Sequence, residues 1–445
     1  MHRRRSWLCG VGRRVVAVLV FAVALASPGA FATEAKLDAD GVVRQALLRN
    51  HDLQAARAQV KAALGRLRQA GLWPNPRLEL SNDTDRPFAN EGEYSRSAGF
   101  SQEFPISGRL GLAETVARVD VARALAEVNE AERRLIGEVA AAYFGIVVID
   151  QKLALRDGLI RSVGALEAAS RARFRAGEVS ELDVNAATLE LLRLKQDRAL
   201  LVGERASALR TLAGLVGFGA DQTLALETKA PLRKPFQSSL DLIAQAVERR
   251  PDLRILSLSA DRADAEKALA TASAWEDWNV SLGVKRDRLV IEGAPRQPGD
   301  DALTMTLTIP LPLLNRNEGT RDAASAEKIA GQEQAIALRQ RIENEVAGTQ
   351  EQLIQLFAAV QAYEAQALPL SRKNSELARD AYRKGQVSIS EVVQAERQEK
   401  DIGMNYAEAL AQYFNGLVKL ETATVAHADL MTRPVEANGI GAERE

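Results

Sequence analysis

Cysteine, histidine and aromatic residues are scarce in this chain. Its single cysteine is Cys9, and the only histidines beyond residue 32 are His51 and His427. Without cysteine, the chain after residue 32 has no disulfide, no thiolate metal site and no thiol nucleophile. The two histidines stand near opposite ends of that chain. We therefore predict no catalytic residue, no metal site and no bound cofactor, and we do not expect an enzyme.

A long apolar run is also missing after the first 32 residues. Residues 1–32 combine an arginine-rich start, an apolar stretch from Val15 to Ala26 and the small residues Ala30 and Ala32, an order typical of a signal peptide. No later segment has the roughly 18 consecutive apolar residues that a spanning helix needs. An exported chain of this kind is periplasmic, secreted or an outer-membrane β-barrel. Cys9 precedes the apolar stretch, so no lipid anchor is predicted.

An excess of positive charge is absent as well. The chain has 58 Lys and Arg against 59 Asp and Glu, a formal net charge of −1. Residues 1–32 hold five arginines and no acid, so removing them changes the charge to −1 − 5 = −6. A nucleic-acid partner is therefore not expected.

The most informative pattern that is present is a turn that occurs twice. Residues 174–184 and 382–392 both read aromatic, Arg, any residue, Gly, polar, Val, Ser and, three residues later, an acid followed by Val. The two glycines are 385 − 177 = 208 positions apart. Glycine adopts the left-handed conformation that ends a helix at little energetic cost, and serine is a favourable N-cap for the next helix. An acidic side chain in the first turn stabilises that helix through its dipole. Each copy therefore predicts the tip of a helical hairpin.

The rest of the chain repeats in the same order. We divide it into a signal peptide (1–32), a first repeat (33–219) with a β-hairpin at 76–105 and a tip at 174–184, a connector (220–239), a second repeat (240–428) with a β-hairpin at 277–310 and a tip at 382–392, and a disordered tail (429–445). A first helix is expected over 37–71. Gly158 and Gly164 predict a weak point or kink in the long helix, near the place that Pro369 takes in the second repeat.

Four strands do not close a barrel, since about eight strands are the fewest that enclose a filled space. In lipid an open sheet edge is not tolerated, so four strands in an exported chain indicate a barrel closed by several copies of the chain. The alternative is a soluble α+β protein with two surface hairpins.

The repeated order, the two Gly-x-Val-Ser tips and the segment Trp73-Pro74-Asn75-Pro76 resemble the outer-membrane efflux proteins (TolC-type) of Gram-negative bacteria. The resemblance implies a mainly α fold with a small β part. Long helical hairpins would form an α-barrel, and four strands per protomer would contribute to a trimeric 12-stranded β-barrel. It implies a homotrimer in outer-membrane lipid that extends into the periplasm, with a periplasmic adaptor protein and an inner-membrane resistance-nodulation-division pump as partners.

The resemblance also implies roles at the tips. The periplasmic entrance would be lined by Asp183, Tyr382 and Glu391. The adaptor would dock on Gly177, Val179, Ser180, Gly385, Val387 and Ser388. Some members have a basic residue where this chain has Val387, which cannot form a closing salt bridge. Helix capping is the alternative role for the glycines, serines and acids. Arg171, Arg173 and Arg175 are expected on an exposed face.

The segment from Glu103 to Arg109 and the sequence as a whole are most similar to the heavy-metal (cobalt-zinc-cadmium) branch of this family. The implied function is passive conduction of substrate, in this case heavy-metal cations, from pump and adaptor to the exterior. Drug efflux and type I secretion by the same kind of channel are alternatives. A soluble periplasmic coiled-coil scaffold or adaptor is the alternative from another class.

Overall fold

The computed structural model describes residues 36–87, 92–219, 224–228, 238–291, 293, 295 and 298–427. The predicted signal peptide, the predicted tail and most of the predicted connector lie outside these residues. The chain is mainly helical with four strands, which confirms the predicted fold class at this level. In chain order the elements are α1 (Ala39–Arg49), α2 (His51–Ala70), β1 (Arg77–Thr84), β2 (Tyr94–Phe104), α3 (Arg109–Arg175), α4 (Glu181–Val216), α5 (Ser239–Arg249), α6 (Pro251–Ala272), β3 (Trp278–Arg288), β4 (Asp300–Thr308), α7 (Glu318–Ala362), a π-helical turn (Tyr363–Ala367), α8 (Leu368–Arg383) and α9 (Ile389–Ala423).

The same series of elements occurs twice. Two short helices, a strand pair, a long helix and a returning helix follow one another in residues 39–216 and again in residues 239–423. α5 begins 239 − 39 = 200 residues after α1, and α9 begins 389 − 181 = 208 residues after α4. The extra residues of the second series therefore lie between its short helices and its returning helix.

The first helical segment is broken where one helix was expected over 37–71. Asn50 separates α1 from α2, with a backbone outside the helical region. Its side-chain oxygen accepts a hydrogen bond from the Leu53 N–H at 2.9 Å, and its Nδ2 donates to the Leu215 carbonyl at 2.9 Å. Asparagine therefore begins α2 and ties it to the end of α4, because its short side chain competes well for backbone groups.

The two long outgoing helices differ in continuity. α3 runs for 67 residues through Gly158 and Gly164, so these glycines do not end the helix. The second outgoing path consists of α7, the π-helical turn and α8, which have 45, 5 and 16 residues, 66 together. The π-helical turn ends at Ala367, two residues before Pro369, whose ring clashes with a regular helix and which lacks an N–H. The second path is therefore irregular next to its proline, whereas the two glycines do not interrupt the first.

The main hydrophobic core joins both halves around the middle of the long helices. It includes Val139 and Ile146 of α3, Val346 of α7 and Phe414 of α9, all with exposed fractions of 2% or less. The Phe144 and Phe414 rings stack with centroids 4.6 Å apart. These residues recur every three or four positions, so a narrow apolar seam holds the helices together.

The four strands form one antiparallel sheet in the order β1-β2-β3-β4. The central pair joins the two halves, with Phe100 of β2 opposite Leu282 of β3. Among the described residues, β1 and β4 each have one edge with no neighbouring strand. The sheet is therefore open on both sides.

Candidate functional site

The first tip is a tight helix end followed at once by a capped helix start. Gly177 has φ 76°, in the left-handed region that glycine adopts easily, and its N–H donates to the Phe174 carbonyl at 2.9 Å. The Asp183 N–H donates to the Ser180 hydroxyl at 3.4 Å, and the Ser180 N–H donates to the Asp183 carboxylate at 3.3 Å. This reciprocal pair satisfies backbone donors that the start of α4 would otherwise leave unpaired.

The second tip uses the same parts. Gly385 has φ 74°, and its N–H donates to the Tyr382 carbonyl at 3.0 Å. The Glu391 carboxylate accepts hydrogen bonds from the Ser388 N–H at 3.3 Å and from the Ser388 hydroxyl at 3.0 Å. Both acids of the tips therefore have a capping role in this structure. Their role at an entrance stays a prediction.

The six residues predicted to face an adaptor lie on the surface of the tips. Gly177, Ser180, Gly385 and Ser388 are exposed, while Val179 and Val387 are partly exposed. A Cβ added at Gly177 would meet no atom within 4 Å, and one at Gly385 would meet only the end of the Arg173 side chain, at 3.7 Å. Glycine is therefore needed at both positions for its backbone conformation and not for lack of space.

Tyr382 lies inside the protomer, with only 2% of its surface exposed. Its hydroxyl shares a hydrogen bond of 3.1 Å with the buried Ser170 hydroxyl of α3. Arg173 donates from Nη1 to the Tyr382 carbonyl at 2.7 Å, and its guanidinium carbon lies 4.9 Å from the centre of the Tyr382 ring. Tyr382 therefore links the second tip to α3 of the first hairpin.

Arg173 was expected on an exposed face, and the structure shows otherwise. Its side chain is only 22% exposed, since it packs on Tyr382 and pairs with Glu178 at 3.0 Å. Arg171 and Arg175 are exposed as expected. Sequence gave no signal for the difference, because the partner of Arg173 lies 209 residues away.

A small apolar cluster surrounds Tyr382, and we call it the tip cluster. It draws on all four helices next to the tips and contains Leu166, Ala187, Tyr382, Ile389, Val392 and Val393. The tip cluster is separate from the main core. The two tips are therefore held side by side by their own contacts.

Buried charges lie next to the tip cluster. Glu396 of α9 is 2% exposed, and its Oε1 accepts hydrogen bonds from the Ser162 hydroxyl of α3 and pairs with Arg379 of α8, both at 3.1 Å. Burial raises the pKa of Glu396, and the nearby Arg379 opposes this rise. Glu190 of α4 is 4% exposed and pairs with Arg397 of α9 at 3.3 Å. These pairs connect the first hairpin to the second.

The sheet has two faces of different character. Register places four apolar side chains in one row across the sheet and a second such row beside it, all of them exposed: Leu78, Phe100, Leu282 and Met305, then Leu80, Ala98, Val284 and Leu303. The opposite face is polar or small and includes Glu79, Gly99, Gly283 and Thr304. An exposed apolar face opposite a polar one is the alternation of strands that separate lipid from water.

No helix in the described ranges has an apolar stretch long enough to cross a membrane.

Within the part of the chain that the structure describes, no three His, Cys, Asp or Glu side chains are grouped so that they could hold a metal ion.

In this chain, long helical hairpins are joined to a sheet that has one exposed apolar face. A sequence model of the family described as outer membrane efflux protein matches residues 42–218 and 242–425. The chain therefore belongs to the outer membrane efflux protein family, which confirms the resemblance drawn from the tips. The members of this family are outer-membrane channels of efflux systems, so the protein is an outer-membrane protein and not an enzyme.

Individual relatives agree with this family. The chain is 24% identical over 383 residues to the cobalt-zinc-cadmium resistance protein CzcC of Cupriavidus metallidurans, a match covering 84% of this chain and 86% of the relative. Among solved structures, it is similar to CusC, with a TM-score of 0.68, 20% identity and coverage of 87% and 91%. The MtrE outer membrane channel of Neisseria gonorrhoeae, solved in its open state, gives a TM-score of 0.67 at 20% identity, with coverage of 87% and 88%. These structures share the fold of this chain.

Proposed function

We propose that three copies of this chain form one passive channel through the outer membrane. The observation that carries the proposal is the open four-stranded sheet with its exposed apolar face. Its edge strands β1 and β4 leave backbone groups without a partner, which lipid does not tolerate. Three such sheets joined edge to edge give twelve strands and no free edge, with the apolar rows facing lipid.

The tips are proposed to form the periplasmic end of this channel. Asp183 and Glu391 line its entrance. Tyr382, which the resemblance also assigned to the entrance, is buried within the protomer and holds the second tip against α3. The exposed backbone of the two tips, around Gly177 and Gly385, receives the adaptor. An inner-membrane resistance-nodulation-division pump delivers substrate through that adaptor. The exposed surface of the tips supports this assignment.

Heavy-metal cations are the proposed cargo. The similarity to a protein named for cobalt, zinc and cadmium resistance supports this choice. A conduit of this kind need not hold a metal ion with fixed ligands, because the driving force comes from the pump.

The assembly is tested by fractionating cells that express the full chain, followed by native mass determination in detergent. A trimer extracted from the outer membrane is expected. A monomer released from the periplasm without detergent would instead favour the soluble scaffold or adaptor.

The cargo is tested separately, in a host that lacks the channel but keeps its adaptor and pump. Expression is expected to restore growth in cobalt, zinc or cadmium salts. Restored resistance to drugs without any change in metal tolerance would favour the drug-efflux alternative. Restored export of a secreted protein alone would favour type I secretion.

A further inference from the structure

A groove lies between α3, α8 and α9, on the tip side of the main core. Its volume is about 610 Å³, the size of a small-molecule site. Its first lining residue, Gln151, is 151 − 109 = 42 residues from the first residue of α3, so the groove lies roughly 63 Å from the sheet end of α3 at about 1.5 Å per residue. It therefore opens to water and not to lipid.

Backbone features explain why the helices leave this space. The π-helical turn shifts the path of the second hairpin just before Leu368, which lines the groove. Gly158 and Gly403 line it too and fill no volume with a side chain. A Cβ added at Gly158 would meet no atom within 4 Å, so this position opens directly into the groove.

Positive charge is concentrated around the groove. The whole chain is balanced, with 58 basic and 59 acidic residues, yet the groove is lined by six cations and only the two acids Glu376 and Glu399. The cations come from all three helices: Lys152, Arg156, Arg161, Arg372, Arg379 and Lys400.

Several of these cations lack a close acidic partner. Lys152, Arg161 and Lys400 form no ion pair within the described ranges, and the nearest pair of Arg372 is with Glu399 at 3.9 Å. Arg156 is 6% exposed, and its Nη1 has no hydrogen-bond partner among the described residues. The ion pair of Arg156 is a long one, with Nη2 3.7 Å from the Asp197 carboxylate. A buried guanidinium that is so weakly paired is costly, and an anion in the groove would reduce that cost.

Apolar side chains complete the lining, among them Leu155, Leu159 and Met404. Arg156 itself rests on Met404, with Nη2 3.4 Å from the sulfur. We propose that this groove binds a small amphipathic anion, meaning one phosphate, sulfate or carboxylate group on an apolar body. The anionic group pairs with the cations of α3 and α9, and the apolar body packs between Leu155 and Met404.

The proposal is tested by calorimetric titration of the full trimer, in nanodiscs of zwitterionic lipid, with hexyl phosphate. Saturable binding is expected, and it weakens as salt is added because the exposed cations are screened. Inorganic phosphate and hexanol, each alone, are expected to bind at least about tenfold more weakly, since each lacks one half of the interaction. If inorganic phosphate bound as tightly as hexyl phosphate, the proposed apolar contact would be wrong. If hexyl phosphate showed no saturable binding, the proposed site would be wrong.

Two pairs of variants locate the binding. Lys152→Gln with Lys400→Gln is expected to weaken binding about tenfold or more. Arg193→Gln with Lys195→Gln makes the same charge change at exposed positions of α4 outside the groove and should leave binding unchanged. Equal weakening by both pairs would show non-specific attraction to net charge and reject the groove.

Two glycine-to-leucine variants, one inside the groove and one outside it, test the location of the binding site without changing charge. Gly158→Leu fills the groove and is expected to abolish binding, while Gly145→Leu, on the same helix and outside the groove, should not. A Cβ at Gly145 also meets no atom within 4 Å, so both variants are tolerated locally. Native mass confirms that each variant is still assembled, and unchanged binding in an assembled Gly158→Leu trimer would exclude the site.

Discussion

The two tips share one sequence pattern and a glycine in the left-handed region, but their aromatic residues have opposite surroundings. Phe174 and Tyr382 each stand three residues before the glycine, at equivalent positions. Phe174 is 42% exposed, whereas Tyr382 is 2% exposed and bonded to Ser170 and Arg173. Local sequence therefore determines where each helix ends. The neighbouring hairpin determines which aromatic is buried.

This difference gives the two tips different tasks. The second tip is held by contacts of its aromatic ring, hydroxyl and carbonyl with α3. The first tip presents its aromatic ring to solvent, and Leu182 of the following helix is exposed as well. Tyr382 therefore serves the packing of the protomer, while Phe174 is free for contacts outside it.

The largest expected effect is that of Tyr382→Ala. Removing a fully buried aromatic side chain leaves a cavity in the tip cluster and should cost about 3–5 kcal/mol of local stability. Hydrogen exchange of the α8 and α9 amides measures this cost as easier opening of the second tip. Phe174→Ala is the matched control and should cost less than about 1 kcal/mol. Equal effects of the two variants would show that the aromatics are equivalent after all.

Gly177→Val and Gly385→Val should have the next largest effect and should be alike. Their φ angles are 76° and 74°, where a side chain costs about 1–2 kcal/mol. In the proposed channel, both changes should also abolish export while native mass still finds trimers. If one variant exported normally, the tips would differ in docking as well as in aromatic burial. Normal export by both variants would refute the docking role.

Ser180→Ala and Ser388→Ala come next, with a loss of about 1 kcal/mol each. The Ser180 hydroxyl accepts a hydrogen bond from the Asp183 N–H, whereas the Ser388 hydroxyl donates one to the Glu391 carboxylate, which also accepts from the Ser388 N–H. Hydrogen exchange of the first-turn amides of α4 and α9 measures the loss. Ser207→Ala, at an exposed position inside α4, is the control and should cause no loss. A loss at only one of the two tips would mean that the caps are not equivalent.

The smallest expected effect is the pH dependence that comes from Glu396. Burial raises its pKa in the folded protein above the ordinary value of 4.5, so the folded state binds the proton more tightly than the unfolded state. Stability should therefore rise as the pH falls through the raised pKa, and it should stop rising below the ordinary value. The difference in stability between wild type and Glu396→Gln, measured by denaturation from pH 7 to pH 4, should follow this course. The equivalent position in the first series, 396 − 208 = 188, is Thr188, which does not titrate, and Thr188→Val should leave the pH dependence unchanged.

Structural elements that depend on residues close together in the sequence were predictable. The helix ends at both tips, the four strands and the mainly helical fold follow from glycine, serine, proline and apolar spacing. Asn50 was missed because an asparagine inside an apolar helical pattern is a weak signal until its partner, the Leu215 carbonyl, is known. Gly158 and Gly164 do not interrupt α3, because the cost of about 1 kcal/mol for each glycine is small within a helix of 67 residues.

Features that join distant parts of the chain were not predictable. Arg173 meets Tyr382, and Ser162 meets Glu396, across more than 200 positions of sequence. The cations of the groove come from three helices, and those of α3 lie more than 200 positions from those of α8 and α9. Composition gave no indication of them either, since the chain as a whole is balanced in charge.

The near-equal lengths of the two outgoing paths, 67 and 66 residues, have a consequence for how such genes can change. Both tips must reach the same level for Arg173 to meet Tyr382. An insertion of seven residues in α3 alone would displace the first tip by about 10 Å. Insertions and deletions should therefore be inherited in pairs, one in each half and of equal length, with a matching change in each returning helix. The length of each outgoing path thus constrains the length of the other. A change in one half is expected to disrupt the contact between the tips until an equal change has occurred in the other half.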